Sequence, residues 1–340
     1  MLINLPGKQR PDLWKVSGTM FRNILVPLDG STLAECVLPH AISLSTALEA
    51  RTILLHVLER PRDTGSLQPI DPLRWVLKKH EAEGYLKRLT IRFQEAGLDV
   101  EYALQEGPPA EVIITHSHLA EVDLIALSTH GSSGLSGWNV SSVVQKIILR
   151  ANKSMVLVRA YQPPDENIEK IHYNRIFVGL DASARAELVL PVAVRLAQYY
   201  NASLTLGTIV QKPDLVSRLP LSDEDVRMVE SVAERNQKAA AQYLEQVRAQ
   251  LALTGIEVNT RLEISTNTLS SLHNLVEEEK ADLVMLVAHG RSADGRWPYG
   301  SVTTSFIAYG STSLFIMQDL SENDIQQTMA EQAMLKAQGH

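Results

Sequence analysis

Asp29 and Asp181 each close a short apolar run, 24–28 and 176–180, and each is followed by a small residue and a serine, Gly30 and Ser31 or Ala182 and Ser183. A carboxylate at the end of such a strand contacts a ligand in the crevice of an open α/β sheet, caps the helix that follows, or does both; Ser31 and Ser183 can share the capping. A second chemical signal is the pair Ser141 and Ser142, matched by Gly300 and Ser301, where a helix should begin. A helix N-terminus has unpaired amide hydrogens and a partial positive charge, so it holds phosphate without a lysine when nearby side chains are small. Glycine permits close approach there; serine adds a hydroxyl donor but also a Cβ. His130 and His289, each followed by glycine, have no nucleophile paired with them and are expected to orient their loops.

These signals are duplicated because the chain is. The segment from Ile24 through Asp29 to Ser31 returns at an offset of 152, and Glu35, Val37, Leu38 and Pro39 return as Glu187, Val189, Leu190 and Pro191. Asp123, Leu124, His130, Gly131, Trp138 and Ser142 return at an offset of 159 as Asp282, Leu283, His289, Gly290, Trp297 and Ser301. In each half, continuously apolar runs alternate with helical stretches, the pattern of parallel strands covered on both faces. Strands are expected near 24–28, 52–57, 99–104, 123–128 and 154–158, with helices near 32–48, 72–96, 109–119 and 141–150. The second half gives strands near 176–180, 203–209, 256–263, 282–287 and 313–317 and a long helix near 223–253. Pro39 and Pro191 should kink their helices. The fold class is therefore α/β, two tandem open parallel five-stranded sheets with helices on both faces. The expected division is an accessory arm 1–19, a first domain 20–160, a linker 161–174, a second domain 175–319 and a polar tail 320–340.

At these residues the chain resembles the universal stress proteins in their tandem form, over about residues 20–319. The likeness rests on the apolar first strand ending in Asp, the histidine and glycine after strand four, and the glycine-serine pair opening the last helix. In family members that bind ATP, that loop reads Gly-x-x-Gly, nine residues, then Gly-Ser or Gly-Thr. Here the first half reads Ser128, Thr129, His130, Gly131, nine residues, Ser141 and Ser142; the second reads Val287, Ala288, His289, Gly290, nine residues, Gly300 and Ser301. Both copies are incomplete. Ser141 narrows the first, and Val287 sets a β-branched side chain where the family has glycine. The resemblance implies an adenine nucleotide, ATP or another, in one or both halves, with Mg²⁺ on its phosphates. It places Asp29 and Asp181 in the pocket and Val57 and Ile209 on the adenine side. It also implies an intrachain pseudo-dimer, with strands 154–158 and 313–317 in contact, and it allows a further homodimer.

Composition sets the outer limits. A hydrophobic fraction of 45%, a charged fraction of 21% and a net charge of −7 describe an ordinary globular chain with no basic patch for nucleic acid or an anionic membrane. One cysteine, Cys36, excludes an intrachain disulfide and any multi-cysteine metal site, and fits a cytoplasmic location. Residues 1–20 lack the apolar run of a signal or anchor. His116 and His118, two apart on a helix, diverge; Cys36, Trp138 and Trp297 read as packing residues, although either tryptophan could stack on a base. The run Glu277 to Lys280 reads as a solvated helix end. The expected function is a cytoplasmic, stress-related regulatory protein that binds an adenine nucleotide and has an unidentified protein partner. The alternative is a scaffold with degenerate pockets. Adenylate-forming or ATP-hydrolysing chemistry is disfavoured, because no Walker-type loop is present and Asp29, Gly30, Ser31 and Thr32 stand where a phosphate loop would follow strand one.

Overall fold

The computed structural model describes residues 21–59, 72–132, 134, 140–160, 170–212, 223–291 and 298–319. The first half runs β1 (Asn23–Leu28), α1 (Thr32–Glu35), α2 (Leu38–Leu48), β2 (Arg51–Leu58), α3 (Pro72–Glu95), β3 (Val100–Glu106), α4 (Pro109–Leu119), β4 (Leu124–Ser128), α5 (Ser142–Arg150) and β5 (Ser154–Val158). The second runs β6 (Arg175–Gly179), a 3₁₀ turn (Ala186–Val189), α6 (Leu190–Tyr200), β7 (Ser203–Gln211), α7 (Asp223–Ala252), β8 (Val258–Ser265), α8 (Thr268–Glu278), β9 (Leu283–Val287), α9 (Ser301–Tyr309) and β10 (Ser313–Met317). Residues of β4 and β5 are buried throughout, which is why both read as unbroken apolar runs.

Each half is a parallel sheet, and the two join into one ten-stranded sheet in the order β3-β2-β1-β4-β5-β10-β9-β6-β7-β8. The seam is antiparallel: Leu314 lies opposite Leu157, Phe315 opposite Val156 and Ile316 opposite Met155. Two hydrophobic strands that would otherwise be open edges thereby cover one another, as the sequence led us to expect. Side chains tie the halves above and below the sheet. The Arg159 guanidinium donates to the Phe306 and Ile307 carbonyls at 2.6 and 3.1 Å, closing the end of α9. In return the Tyr299 hydroxyl donates to the Ile148 carbonyl in α5 at 3.0 Å. On the opposite face His40 of α2 shares a 2.6 Å hydrogen bond with the Tyr173 hydroxyl, and Arg195 of α6 reaches the Ala47 carbonyl and Glu49.

The prolines behave differently from expectation. The stretch 32–48 is not one kinked helix, because α1 ends at Glu35 and α2 begins afresh at Leu38 with Pro39 in its first turn. Pro191 likewise sits in the first turn of α6, after the 3₁₀ turn. In a first turn the missing amide hydrogen has no intrahelical acceptor to lose, so proline starts these helices and does not bend them. The arm 1–19 and the tail 320–340 lie outside the described residues, as does the expected linker up to 169; at its end, Tyr173 is fully buried and the Ile171 carbonyl accepts from Ser43.

Candidate functional site

Strand order reverses between β1 and β4, and again between β6 and β9, and the pairing registers show the crevice that results. β1 runs to Leu28 and β4 to Ser128, yet they pair only at Ile24 with Leu124 and Leu25 with Ile125. Beyond that point the strands diverge, and Asp29 stands in the gap.

Its carboxylate spans the gap. One oxygen accepts from the Ser31 amide at 3.0 Å and the Ser31 hydroxyl at 2.6 Å; the other accepts from the Ser132 amide at 2.6 Å. Burial alone would raise this carboxyl, but the bonds from the Ser31 hydroxyl and the Ser132 and Ser31 amides hold it below the usual value. Ser31 itself caps α1 by accepting from the Ala34 amide at 3.1 Å. Asp181 repeats the arrangement, accepting from the Ser183 and Arg291 amides, while the Arg291 guanidinium donates to the Asp181 carbonyl at 2.9 Å. This clip explains the glycine after each histidine. A methyl group at Gly131 would lie 3.0 Å from Asp29 Cγ and nearer still to Oδ2; one at Gly290 would lie 3.3 Å from Asp181 Cγ and meet Oδ2 in the same way.

The helix starts opposite the clips differ between the halves. Ser141 caps α5 with φ −71° and ψ 161°, and its hydroxyl accepts from the Val144 amide at 3.3 Å. Gly300 caps α9 with nearly the same torsions, φ −70° and ψ 168°, but makes no side-chain bond. The glycine is therefore not demanded by backbone strain. Its effect is to leave the first amides of α9 uncapped by any side chain at that position, against the loop where the His289 Cα and the Gly290 nitrogen are its neighbours.

At the two positions where the resembling family has its first glycine, the substitutes also differ. Ser128 is buried and its hydroxyl lies 2.7 Å from both the Leu33 and His130 carbonyls, with the Cys36 thiol donating to it at 3.3 Å. That hydroxyl is fully engaged in binding β4 to α1. The concern over Val287 is removed by its backbone: it is the last residue of β9, paired with Met317, and lies outside the positive-φ region, so a β-branched side chain fits.

In the second half Asp181, Ile209, Gly290, Gly300 and Ser301 all line one cavity of about 130 Å³, together with Leu286, Val287 and His289. That is below the roughly 300–1,000 Å³ usual for small-molecule pockets. Val57 holds the position of Ile209 in the first half, half-buried at the end of β2 against the same face of the core. Ser142, like Ser301, is an exposed first residue of its helix. Trp138 and Trp297 lie outside the described residues. His116 is half-buried and His118 exposed on α4, and no group of three potential metal ligands occurs among the described residues. Glu277 and Glu278 are exposed as expected, but Glu279 is engaged by Arg261 and Thr205.

Several polar groups escaped the sequence reading. His289 Nδ1 is 2.8 Å from Asp319 Oδ1, and Asp319 Oδ2 is 3.6 Å from Arg185 Nη1. The halves differ in charge at both new positions, Leu33 facing Arg185 and Ala160 facing Asp319 in the alignment, and that difference was the available signal. Tyr85 on α3, half-buried, and Tyr243 on α7 are matched phenols with buried hydroxyls; burial, and then the Glu35 and Glu187 carboxylates beside them, raise both.

The molecule is thus a pair of Rossmann-like α/β domains on a shared sheet, each with a crevice at its switch point between an aspartate clip and a helix N-terminus. The model of the universal stress protein family matches it twice, over residues 20–159 and 172–317, and the chain belongs to that family. Universal stress protein MJ0577 of Methanocaldococcus jannaschii is 27% identical over 155 residues, 41% of this chain and 96% of its own length. Universal stress protein YxiE of Bacillus subtilis is 30% identical over 149 residues, 41% of this chain and 100% of its own. Each relative therefore corresponds to one half. Two solved structures resemble the whole: a universal stress protein from Archaeoglobus fulgidus, with TM-score 0.59, 18% identity and coverage of 87% and 98%, and one assigned to the same family from Pseudomonas aeruginosa, with 0.61, 14%, 94% and 100%. These likenesses show the fold. Among the described residues no helix is long and apolar enough to cross a membrane.

Proposed function

We propose that this chain is a cytoplasmic regulatory protein that binds an adenine nucleotide in the crevice of its second half, with the first half in a mainly architectural role. The observation that carries this reading is the uncapped start of α9 at Gly300, facing the Asp181 clip across a cavity whose other wall is the apolar Ile209. The Gly300 amide donates to the Ala288 carbonyl at 2.8 Å, so phosphate suits the first amides of α9 beyond it, from Ser301 on, and an adenine ring suits Ile209; Asp181 lines the same cavity. Gly290 keeps the loop close enough to Asp181 for the clip to form.

In the first half the corresponding groups are occupied by their own neighbours. Ser141 uses its hydroxyl on α5 and Ser128 uses its hydroxyl on α1 and its own loop, where the second half has Gly300 and Val287; the aspartate clip is common to both halves. Gly131, Ser142 and Val57 keep the outline of the crevice. This favours the scaffold reading for that half alone. His130 Nδ1 lies beside the Thr129 hydroxyl and His289 Nδ1 beside Asp319, contacts that orient the two loops, and binding is the proposed activity. The test is to heat-extract the purified chain, identify any released nucleotide, and titrate the stripped protein with ATP by calorimetry. One dominant site, lost in Gly300→Val and weakened in Asp181→Asn, is expected. Two equal sites would refute the asymmetry; no extracted nucleotide and no stabilisation by millimolar ATP would refute the function.

A further inference from the structure

Asp319 lies just beyond β10, outside the cavity lining, and its carboxylate is wholly buried. Its two oxygens point to different loops. Oδ1 meets His289 Nδ1 at 2.8 Å, and His289 is itself buried in the loop after β9 that carries Gly290. Oδ2 has no hydrogen bond but lies 3.6 Å from the Arg185 guanidinium, on the segment between Asp181 and the 3₁₀ turn. A buried carboxylate is costly unless paired, and among the described residues His289 and Arg185 are its side-chain partners. The loops it joins are the two lips of the second crevice.

The first half lacks this connection. Position 33 there is leucine and position 160 alanine; the Ala160 amide donates instead to Thr129 Oγ1 at 3.2 Å, and His130 Nδ1 lies 3.2 Å from that same hydroxyl. In that crevice the Ser128 hydroxyl reaches the Leu33 carbonyl, and no carboxylate stands at position 160. The arginine and the aspartate thus occur together, in the half whose helix start is uncapped.

We propose that Asp319 is a positioning residue of the second crevice: by holding His289 on one lip and Arg185 on the other, it fixes the spacing at which the first amides of α9, from Ser301 on, receive phosphate. This rests on the nucleotide reading above and assigns its geometric control to a residue that does not touch the ligand.

The experiment has two arms on the full chain. In the first, hydrogen exchange is followed without nucleotide in wild type, Asp319→Asn and Asp319→Ala. The peptides carrying 183–187 and 287–291 should exchange faster in Asp319→Ala, with those carrying 128–132 unchanged. In the second, ATP is titrated into the same proteins. Asp319→Ala should weaken binding roughly 10- to 100-fold, the scale of one charge-assisted hydrogen bond, and Asp319→Asn less, because its amide oxygen still accepts from His289. Arg185→Leu, the first half's residue, should resemble Asp319→Asn. Faster exchange with unchanged ATP affinity would overturn the positioning role while leaving the nucleotide reading standing. Unchanged exchange would overturn the link itself. A wild-type chain that binds no ATP, yet shows the exchange difference, would overturn the nucleotide reading and the ligand half of this proposal, leaving only a structural tie.

Discussion

Gly300→Ser would give the second half the helix start of the first. The backbone already permits it, because Ser141 and Gly300 share their torsions to within a few degrees and a Cβ at Gly300 would have no neighbour nearer than the Ala288 carbonyl at 3.6 Å. The new hydroxyl should take the Thr303 amide, as Ser141 takes that of Val144. As an N-cap, serine exceeds glycine by only a few tenths of a kcal/mol, which at the usual entropy of unfolding raises the melting temperature of a domain this size by about 1 °C. Ligand binding should move the other way and further. The first-turn amides of α9 after Gly300, Thr303 among them, are the donors left for phosphate, and one diverted to a hydroxyl forfeits a charge-assisted hydrogen bond of about 1.5–3 kcal/mol, part of which the serine hydroxyl and water restore, so a loss of roughly tenfold in ATP affinity is expected. The assay is calorimetric titration of stripped protein, with a melt of the same sample. A higher melting temperature with unaltered ATP affinity would show that the start of α9 is merely a helix end, and the site would have to lie elsewhere.

Four further outcomes follow from the geometry. Gly131→Ala places a methyl group against the Asp29 carboxylate and should destabilise the chain by about 2–4 kcal/mol through overpacking and loss of the Ser132 bond, read by urea unfolding; a change under about 0.5 kcal/mol would sink the clip argument. Ala182→Gly should stabilise by up to about 1 kcal/mol in the same assay, because Ala182 sits at φ 59° where the first half has Gly30; a loss of stability would mean that this torsion is not strained. His40 is held neutral by burial, its pKa pushed down to about 4 from 6.5. The unfolded chain therefore binds the extra proton between those values, and stability present above pH 6.5 should fall by about 2 kcal/mol between pH 7 and 5, a slope that His40→Gln flattens. Arg159→Met removes the bonds to Phe306 and Ile307 and should speed exchange in the last turn of α9 before any other second-half peptide; uniform acceleration would contradict a local cap.

The strands, the repeat and the seam were legible because burial on both faces writes itself as unbroken apolarity, and β5 and β10 carry that signal to the last residue. Proline position was harder to read. Whether Pro39 bends a helix or begins one depends on where the preceding turn stops, and α1 stops at Glu35 under packing that no local pattern encodes. At the crevice the residue types were visible and their hydrogen-bond partners were not. Ser128 and Ser141 read as lost glycines, whereas each spends its hydroxyl on a particular carbonyl or amide. Asp319 was invisible as a functional candidate because its partners lie 30 and 134 positions away and come together only when β10 is in place.

The seam gives the asymmetry between the halves a structural consequence. β5 and β10 pair directly, and each belongs to the half whose crevice it borders: Thr129, in the first, bonds to the Val158 carbonyl, and Ala288, in the second, to the Met317 carbonyl at 2.7 Å. Arg159, one residue beyond β5, closes α9, the helix whose other end faces the second crevice. Tyr299, one residue before Gly300, is buried against the Ile148 carbonyl of the first half. The start of α9 and its end are therefore both braced by residues of the first half or by contacts with it. In the first half Ser128 and Ser141 spend their hydroxyls on neighbouring backbone groups, which ties β4 to α1 and caps α5. A duplicated half thus has a structural part whatever its own crevice does: the first half braces both ends of α9.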